Sequence, residues 1–185
     1  AMDWSVPGIY GWYTSGDDGN VKNGSERMPT IEANNEITDG LDSIGTLGTL
    51  TLGRDTLVGS TFVGTWGVGA RVKDVSFIDK LKHSFHVNLL GGTNSPAMVK
   101  YMDHSNAWDS TSNMFDGPYM TTNDGLLEFN VISSYKIYDN LEMNVELGYV
   151  ANYMDSSTWN KSYQNFGSYS KQDAWKGQVV FQYKF

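Results

Sequence analysis

The chain has three histidines, the side chain most often used for acid-base catalysis and metal binding. A hydrolytic triad needs a His beside a Ser and an orienting carboxylate. Asp103-His104-Ser105 supplies these types, but adjacent residues rarely meet with triad geometry. His83 and His86 are three apart, so on a strand they point to opposite faces and would not bind one metal together. Cys is absent, which excludes thiol catalysis, disulfides and zinc-thiolate sites. We predict that the chain is not an enzyme, with no catalytic residue, no resident metal and no cofactor.

Acidic residues form a second group that could do chemistry, because clustered carboxylate oxygens bind calcium. They occur at Asp17-Asp18-Gly19-Asn20, at 39–42 and at Asp103, Asp109 and Asp116. None of these stretches has the alternating ligands and closing Glu of the twelve-residue calcium loop. Asp, Asn and Gly also dominate turns for conformational reasons. We therefore favour solvated turn residues, and keep calcium in acidic external loops as the alternative.

The remaining polar side chains recur at every second residue in six segments, with apolar side chains between them. Strand side chains point alternately to opposite faces, so this period of two predicts amphipathic strands. The segment 141–153 is the cleanest, whereas His83 interrupts the apolar face of its segment and Pro7 weakens the first one. In that first segment the apolar positions are Trp4, Val6, Gly8, Tyr10 and Trp12. The six segments are 4–12, 62–73, 81–89, 127–137, 141–153 and 175–185.

The lengths of the connections favour a barrel over a sandwich. Short connections at 74–80 and 138–140 alternate with long polar ones at 92–125 and 155–171, as in outer-membrane barrels. The last segment ends at an aromatic residue, Phe185, without a polar tail. We predict one all-β domain over 1–185, an antiparallel transmembrane β-barrel. Residues 15–60 would hold either two further crossings, at 28–36 and 47–53, or a loop. The first arrangement gives about eight strands closing alone; the second makes this chain the carboxy-terminal part of a larger porin barrel.

A barrel assigns the two faces to water and to lipid. The long loop at 15–60 or at 92–125 is expected to narrow the water-filled lumen. Basic and acidic residues are mixed on the polar face, so the charge selectivity stays open. The predicted pore-lining residues are Arg71, Lys73, Lys82, His86, Glu128, Asn130, Lys136, Glu142, Asn144, Glu146, Lys176 and Gln178. The predicted lipid-facing residues are Trp66, Phe85, Phe129, Tyr149, Trp175, Phe181, Tyr183 and Phe185.

Several short stretches in a fixed order carry a family resemblance: Gly11-Trp12-Tyr13, Ser15-Gly16-Asp17-Asp18, Asn23-Gly24-Ser25-Glu26-Arg27-Met28-Pro29, Gly64-Thr65-Trp66-Gly67-Val68-Gly69, Leu81-Lys82-His83, Gly91-Gly92-Thr93-Asn94, Tyr119-Met120-Thr121-Thr122-Asn123-Asp124, Tyr135-Lys136-Ile137-Tyr138-Asp139-Asn140-Leu141 and Tyr183-Lys184-Phe185. In this order they resemble the carboxy-terminal portion of the outer-membrane homotrimeric porins of sulfate-reducing bacteria. The resemblance implies a water-filled channel for passive diffusion of small hydrophilic solutes and ions. It also implies a homotrimer in outer-membrane lipid of a Gram-negative bacterium, without catalytic residues or cofactor. Members of that family are longer, so the chain is expected to be a fragment or a shortened relative.

Composition excludes several other classes. With 39% hydrophobic and 18% charged residues the chain is not disordered. Its net charge of −8 comes without a basic stripe, which argues against nucleic-acid binding. No run of about 18 apolar residues is present, so no helix would span a bilayer, whereas a barrel strand needs only about 9 to 11 residues. The start at Ala1, without a charged and apolar leader, suggests a mature or truncated product.

Two rival interpretations stay open from sequence. One is a soluble or surface β-sandwich that binds carbohydrate through loop aromatics. The other is a small non-porous barrel, plugged by its own side chains, that serves as an anchor or adhesin. The loop aromatics in question are Trp108, Phe115, Tyr119, Trp159, Tyr163, Phe166 and Tyr169.

Overall fold

The computed structural model describes residues 4–20, 22–24, 26, 64–101, 120–159 and 172–185. Six strands dominate these residues, and all six correspond to predicted segments. The alternation of Val, Ile, Phe and Tyr with polar residues suits a pleated sheet, because branched and aromatic side chains pack well on its surface. The strands are β1 (Val6–Tyr13), β2 (Thr65–Ile78), β3 (Leu81–Gly92), β4 (Gly125–Tyr138), β5 (Leu141–Asn152) and β6 (Ala174–Tyr183).

The strands form one sheet in the order β1-β2-β3-β4-β5-β6, so each strand pairs with its neighbours in sequence. Every pairing is antiparallel. Within the described residues, β1 and β6 are each paired on one side only. The prediction of an all-β, antiparallel fold is therefore confirmed. The two additional crossings predicted at 28–36 and 47–53 lie outside the described residues.

Two tight hairpins close one end of the sheet, which we call the turn end. Asp139 and Asn140 connect β4 to β5. The connection predicted at 74–80 is shorter than expected, because β2 continues to Ile78 and only Asp79 and Lys80 form the turn. The sequence pattern breaks at Asp74, which adopts a left-handed φ of 56° where the β2–β3 register shifts. A β-bulge of this kind inserts an unpaired residue and disrupts the period of two.

The opposite end, which we call the loop end, holds the short helices and the apolar core. A 3-10 helix at Pro96–Tyr101 follows β3, and α1 (Ser156–Trp159) follows β5. Leu90 and Leu126 lie directly opposite each other on neighbouring strands. Both are buried, as are Met120 and Met154 from the loops. Apolar burial in the described part of the chain is thus concentrated where the loops cover the sheet.

Candidate functional site

The sheet has two chemically different faces, and the apolar one is exposed. We call outer the face that carries Val68, Val87, Phe129 and Leu147, and inner the face that carries Arg71, Asn88, Glu128 and Glu146. Large side chains on the outer face are highly exposed, for example Ile9 at 90% and Trp175 at 80%. Among the paired positions of the six described strands, the outer face has no Asp, Glu, Lys or Arg.

One imidazole interrupts this apolar outer face, as the sequence predicted. His83 lies directly opposite Ser133. The His83 Nδ1 and the Ser133 Oγ are 2.8 Å apart, so the two polar groups satisfy each other. The pair lies close to the turn end, two positions from Leu81, where β3 begins.

The inner face is polar and buried. Asn88 and Glu128 are each 1% exposed, and His86, Asn130 and Glu146 are also buried. A soluble sheet normally buries its apolar face and leaves polar residues in water. In this chain the distribution is inverted.

All residues predicted to line a pore belong to the inner face by strand register. Arg71 lies opposite His86, which lies opposite Asn130. Lys176 pairs with Gly148, which pairs with Asn130. The other predicted pore-lining residues also lie at inner-face positions of their strands: Lys73, Lys82, Glu128, Lys136, Glu142, Asn144, Glu146 and Gln178.

Two of these residues lie at the rim of the inner face. The Lys82 Nζ is 3.1 Å from Asp74 Oδ1, and the Lys136 Nζ is 2.9 Å from Asp139 Oδ1. The Lys136 ammonium, which donates a hydrogen bond and adds its charge, lowers the pKa of Asp139. These exposed pairs position the turn-end lysines near solvent, and their contribution to stability is small.

The residues predicted to face lipid all belong to the outer side, and most of them are exposed. Phe85, Phe129, Tyr149, Trp175, Phe181 and Tyr183 occupy outer positions in the register, and Phe185 follows β6. Trp66 differs, because its indole lies across Gly91 of the next strand and is only partly exposed.

The side of β1 that the sequence pattern assigned to the outer face lies on the inner face. Its register places Gly8, Tyr10 and Trp12 on the inner face, opposite Arg71, Gly69 and Gly67 respectively. Ile9 and Tyr13 are the exposed outer residues. The sequence analysis therefore missed Tyr10 and Trp12 as inner-face residues. The signal that could have identified them is the pair of glycines on the polar face of β2, which leaves space for two rings.

Charges of both signs occur on the inner face. The basic side chains Arg71, Lys73 and Lys82 belong to β2 and β3. The acidic Glu142 pairs with Lys136 of β4, and Lys176 belongs to β6. The Glu146 Oε2 accepts a hydrogen bond from Gln178 Nε2 at 2.8 Å. Ions or polar solutes beside this face would therefore meet a basic region at β2 and β3 and a region of mixed charge at β4 to β6.

Hydrogen bonds fix the middle of the inner face. The Tyr10 hydroxyl donates to Asn88 Oδ1, and the Arg71 guanidinium lies 5.8 Å from the centre of the Tyr10 ring. Asn130 Nδ2 donates to Glu128 Oε1 at 2.8 Å. Among the residues that the structure describes, three buried side-chain atoms have no hydrogen-bond partner: His86 Nδ1, Asn88 Nδ2 and Asn130 Oδ1.

At the loop end, Asn94 joins three segments of the chain. Its Nδ2 donates to the carbonyl of Met120 at 2.8 Å and to that of Gly64 at 3.3 Å. Its Oδ1 accepts from the Asp17 amide at 3.0 Å. Asn94 is completely buried, so it fixes the bases of the loops that follow β1 and β3 and precede β2.

A second loop-end network surrounds Asp155. Its carboxylate accepts hydrogen bonds from Ser157 Oγ, from Thr158 Oγ1 and from the Thr158 amide. These bonds, those of Ser157 and Thr158 first, lower the pKa of Asp155 from 3.8 to about 2. The Asp155 amide donates to Asp124 Oδ1 at 2.7 Å, which connects α1 to the segment before β4.

The acidic groups considered for calcium are only partly described. Asp17, Asp18 and Glu26 have carboxylate oxygens within 4.8 Å of one another. Nearby groups already donate to all three: the Gly19 amide to Asp17, the Asn20 amide to Asp18, and Asn23 Nδ2 to Asp18 and Glu26. These bonds are those expected of turn residues. The stretches 39–42 and 103–116, which include the triad candidate at 103–105, lie outside the described residues, as do most of the loop aromatics.

No helix among the described residues is both long and apolar enough to cross a membrane. Comparisons with protein-family models, with curated proteins and with solved structures found no match to this chain.

Proposed function

We propose that this chain is an outer-membrane β-barrel protein that forms a water-filled channel for passive diffusion of small hydrophilic solutes and ions. One observation carries the proposal: the exposed face of the sheet is apolar and its buried face is polar. Lipid favours an apolar exterior, and an aqueous lumen favours a polar interior. A soluble sandwich would instead bury the apolar face against a second sheet.

Strand length supports a membrane location. β5 has 12 residues, which span about 40 Å at a rise of about 3.3 Å per residue. With a tilt of about 40°, this strand would rise about 30 Å, the thickness of the hydrocarbon core.

Exposed or partly exposed aromatic residues occur towards both ends of the strands. Exposed aliphatic side chains on the outer face include Ile9, Val68, Val87, Leu89, Leu147 and Val179. Aromatic girdles at both interfaces, with an aliphatic band between them, are typical of outer-membrane barrels. The turn-end group is Trp4, Phe77, Tyr135, Tyr138, Phe181 and Tyr183, and the loop-end group is Tyr13, Trp66, Tyr149, Tyr153 and Trp175.

The sequence motifs support a place among the homotrimeric porins of sulfate-reducing bacteria. The proposal therefore includes a trimer in the outer membrane of a Gram-negative bacterium, without enzymatic activity.

Reconstitution in planar lipid bilayers tests the proposal. The folded chain should give stable, discrete conductance steps, and its electrophoretic mobility in detergent should change on boiling. Replacing Lys73→Glu on the inner face should shift the reversal potential in a salt gradient towards cation selectivity. Lys22→Glu in an exposed loop is the matched control and should have a much smaller effect. A chain that remains monodisperse in plain buffer and gives no conductance would refute the proposal.

A non-porous barrel is the second candidate, and one observation favours it. The side chains in the middle of the inner face, including Asn88, Glu128 and Asn130, are almost inaccessible. Small barrels can be filled by their own side chains in this way. Membrane insertion without conductance would select this candidate.

A further inference from the structure

Two aromatic rings lie flat against the inner face. A Cβ added at Gly67 would be 2.3 Å from the Trp12 ring, and one at Gly69 would be 2.4 Å from the Tyr10 ring. The Trp12 Nε1 donates to Thr65 Oγ1 at 3.1 Å, which holds the indole in this orientation. One side of each ring thus contacts the sheet, while both side chains keep part of their surface exposed.

Beside these rings, Asn88 and Asn130 each use one of their two side-chain polar atoms in a hydrogen bond. The Tyr10 hydroxyl binds Asn88 Oδ1, so the Nδ2 donor of Asn88 is left over. Asn130 Nδ2 binds Glu128, so the Oδ1 acceptor of Asn130 is left over. His86 Nδ1 is the third buried atom without a partner. Such groups are rare in folded proteins, and each calls for a partner such as water, an ion or a ligand.

The three atoms belong to neighbouring positions. Asn88 lies opposite Glu128, and His86 lies opposite Asn130, on the adjacent pair β3 and β4. Paired strands are about 4.8 Å apart, and same-face neighbours along a strand are about 7 Å apart. One small molecule could therefore contact both amides once the side chains that cover them move aside.

The chemistry of the unpartnered atoms selects among ligands. A cation would suit Asn130 Oδ1 and the Glu128 carboxylate but not the Asn88 N–H donor. An anion has no donor for Asn130 Oδ1. A hydroxyl group both donates and accepts, so it can satisfy Asn88 and Asn130 together. A ring of C–H groups carrying several hydroxyls could in addition lie on the faces of Tyr10 and Trp12, where it would bury apolar surface.

We infer that the inner face around Trp12, Tyr10, Asn88, Glu128 and Asn130 is a binding subsite for a polyhydroxylated solute, a sugar or polyol. The inference rests on the proposed channel, because the solute reaches this face through the lumen. A solute hydroxyl at this position supplies the hydrogen-bond partner that each amide lacks.

Sugar-dependent block of ion current tests the inference in the reconstituted full chain. Maltose should reduce the conductance in a saturable manner. Triethylene glycol dimethyl ether is of related size but has no hydroxyls, so it should reduce conductance only through viscosity, without saturation.

Two inner-face variants test whether the maltose block depends on this subsite. Asn130→Leu and Trp12→Leu should each weaken maltose block by about tenfold, since each removes one of the two types of contact. Tyr13→Ala changes the next residue of β1, which points to the outer face, and should leave the block unchanged. A change in electrophoretic mobility on boiling shows which variants are folded. If only one of the two inner-face variants folds, that variant alone tests the inference.

The outcomes separate the two claims. Absence of conductance in the wild-type chain would overturn the proposed channel and the subsite with it. Stable conductance without saturable maltose block would overturn the subsite alone, as would block that is unchanged in the folded inner-face variants.

Discussion

At the scale of single residues, Asn94 shows how a polar side chain can hold a loop region together. Its side chain pairs with three backbone groups, of which the Gly64 carbonyl also accepts a hydrogen bond from the Thr93 amide. Leaving buried polar groups unpaired costs about 1–3 kcal/mol each, although water or relaxation recovers part of that cost. The side chain therefore stabilises the loop end more than its size suggests.

We expect Asn94→Ala to lower the free energy of unfolding by roughly 2–4 kcal/mol. Urea titration of the detergent-folded protein, followed by tryptophan fluorescence, measures this change. Asn20→Ala is a suitable control, because Asn20 is an exposed loop residue whose side chain accepts a local hydrogen bond from the Lys22 amide. An equal loss in both variants would argue against a special role for Asn94.

The carboxylate of Asp155 predicts a pH dependence at the same scale. Its folded pKa of about 2 lies below the ordinary value of 3.8, so its hydrogen bonds stabilise the folded state above about pH 4. This contribution is lost as the pH falls from about 4 to about 2. Asp155→Asn should be less stable than wild type at pH 6, and the two stabilities should converge towards pH 2. Urea titrations across this range measure the difference, and parallel curves at all pH values would contradict the assignment.

At the scale of elements, the period of two predicted every described strand but not every face. In β2 to β6 the charges identify the inner side, since polar and apolar residues alternate regularly. β1 has no charged residue, and Tyr10 and Trp12 lie on the inner side because glycines on β2 leave space for their rings. β2 also continues past the β-bulge at Asp74, beyond its predicted end. Packing across strands and local backbone conformation decide both features, and neither is encoded in the alternation of one segment.

The ring-on-glycine contact between β1 and β2 leads to a prediction for this element. Gly67→Ala should displace the Trp12 ring and lower stability by about 1–3 kcal/mol, because a Cβ there would lie 2.3 Å from the indole. Gly125→Ala is the matched control, since its nearest neighbour would be the Leu90 carbonyl oxygen at 3.5 Å. Urea unfolding should show little change for that variant. Equal destabilisation by both would mean that loss of glycine in a strand, not the ring contact, is the cause.

At the scale of the whole molecule, the apolar outer face suits lipid and the polar inner face suits water. The register places the residues predicted to line a pore on the inner face and the strand residues predicted to face lipid on the outer face, because both sets follow from strand parity. The Tyr10–Asn88 bond and the contacts of Asn94 were not predicted, since they connect residues far apart in sequence.

If the outer face contacts lipid, the cost of a charge there must depend on depth. Leu147→Lys, in the middle of β5, should lower stability in a bilayer by about 2–4 kcal/mol. Tyr153→Lys, just beyond the loop end of the same strand, should cost only about 0–1 kcal/mol, because its ammonium can reach the interface. Both native side chains are more than half exposed, at 56% and 55%, so burial within the protein cannot produce the difference. Folding titrations in lipid vesicles measure the two values, and similar small costs at both depths would argue against a lipid-facing sheet.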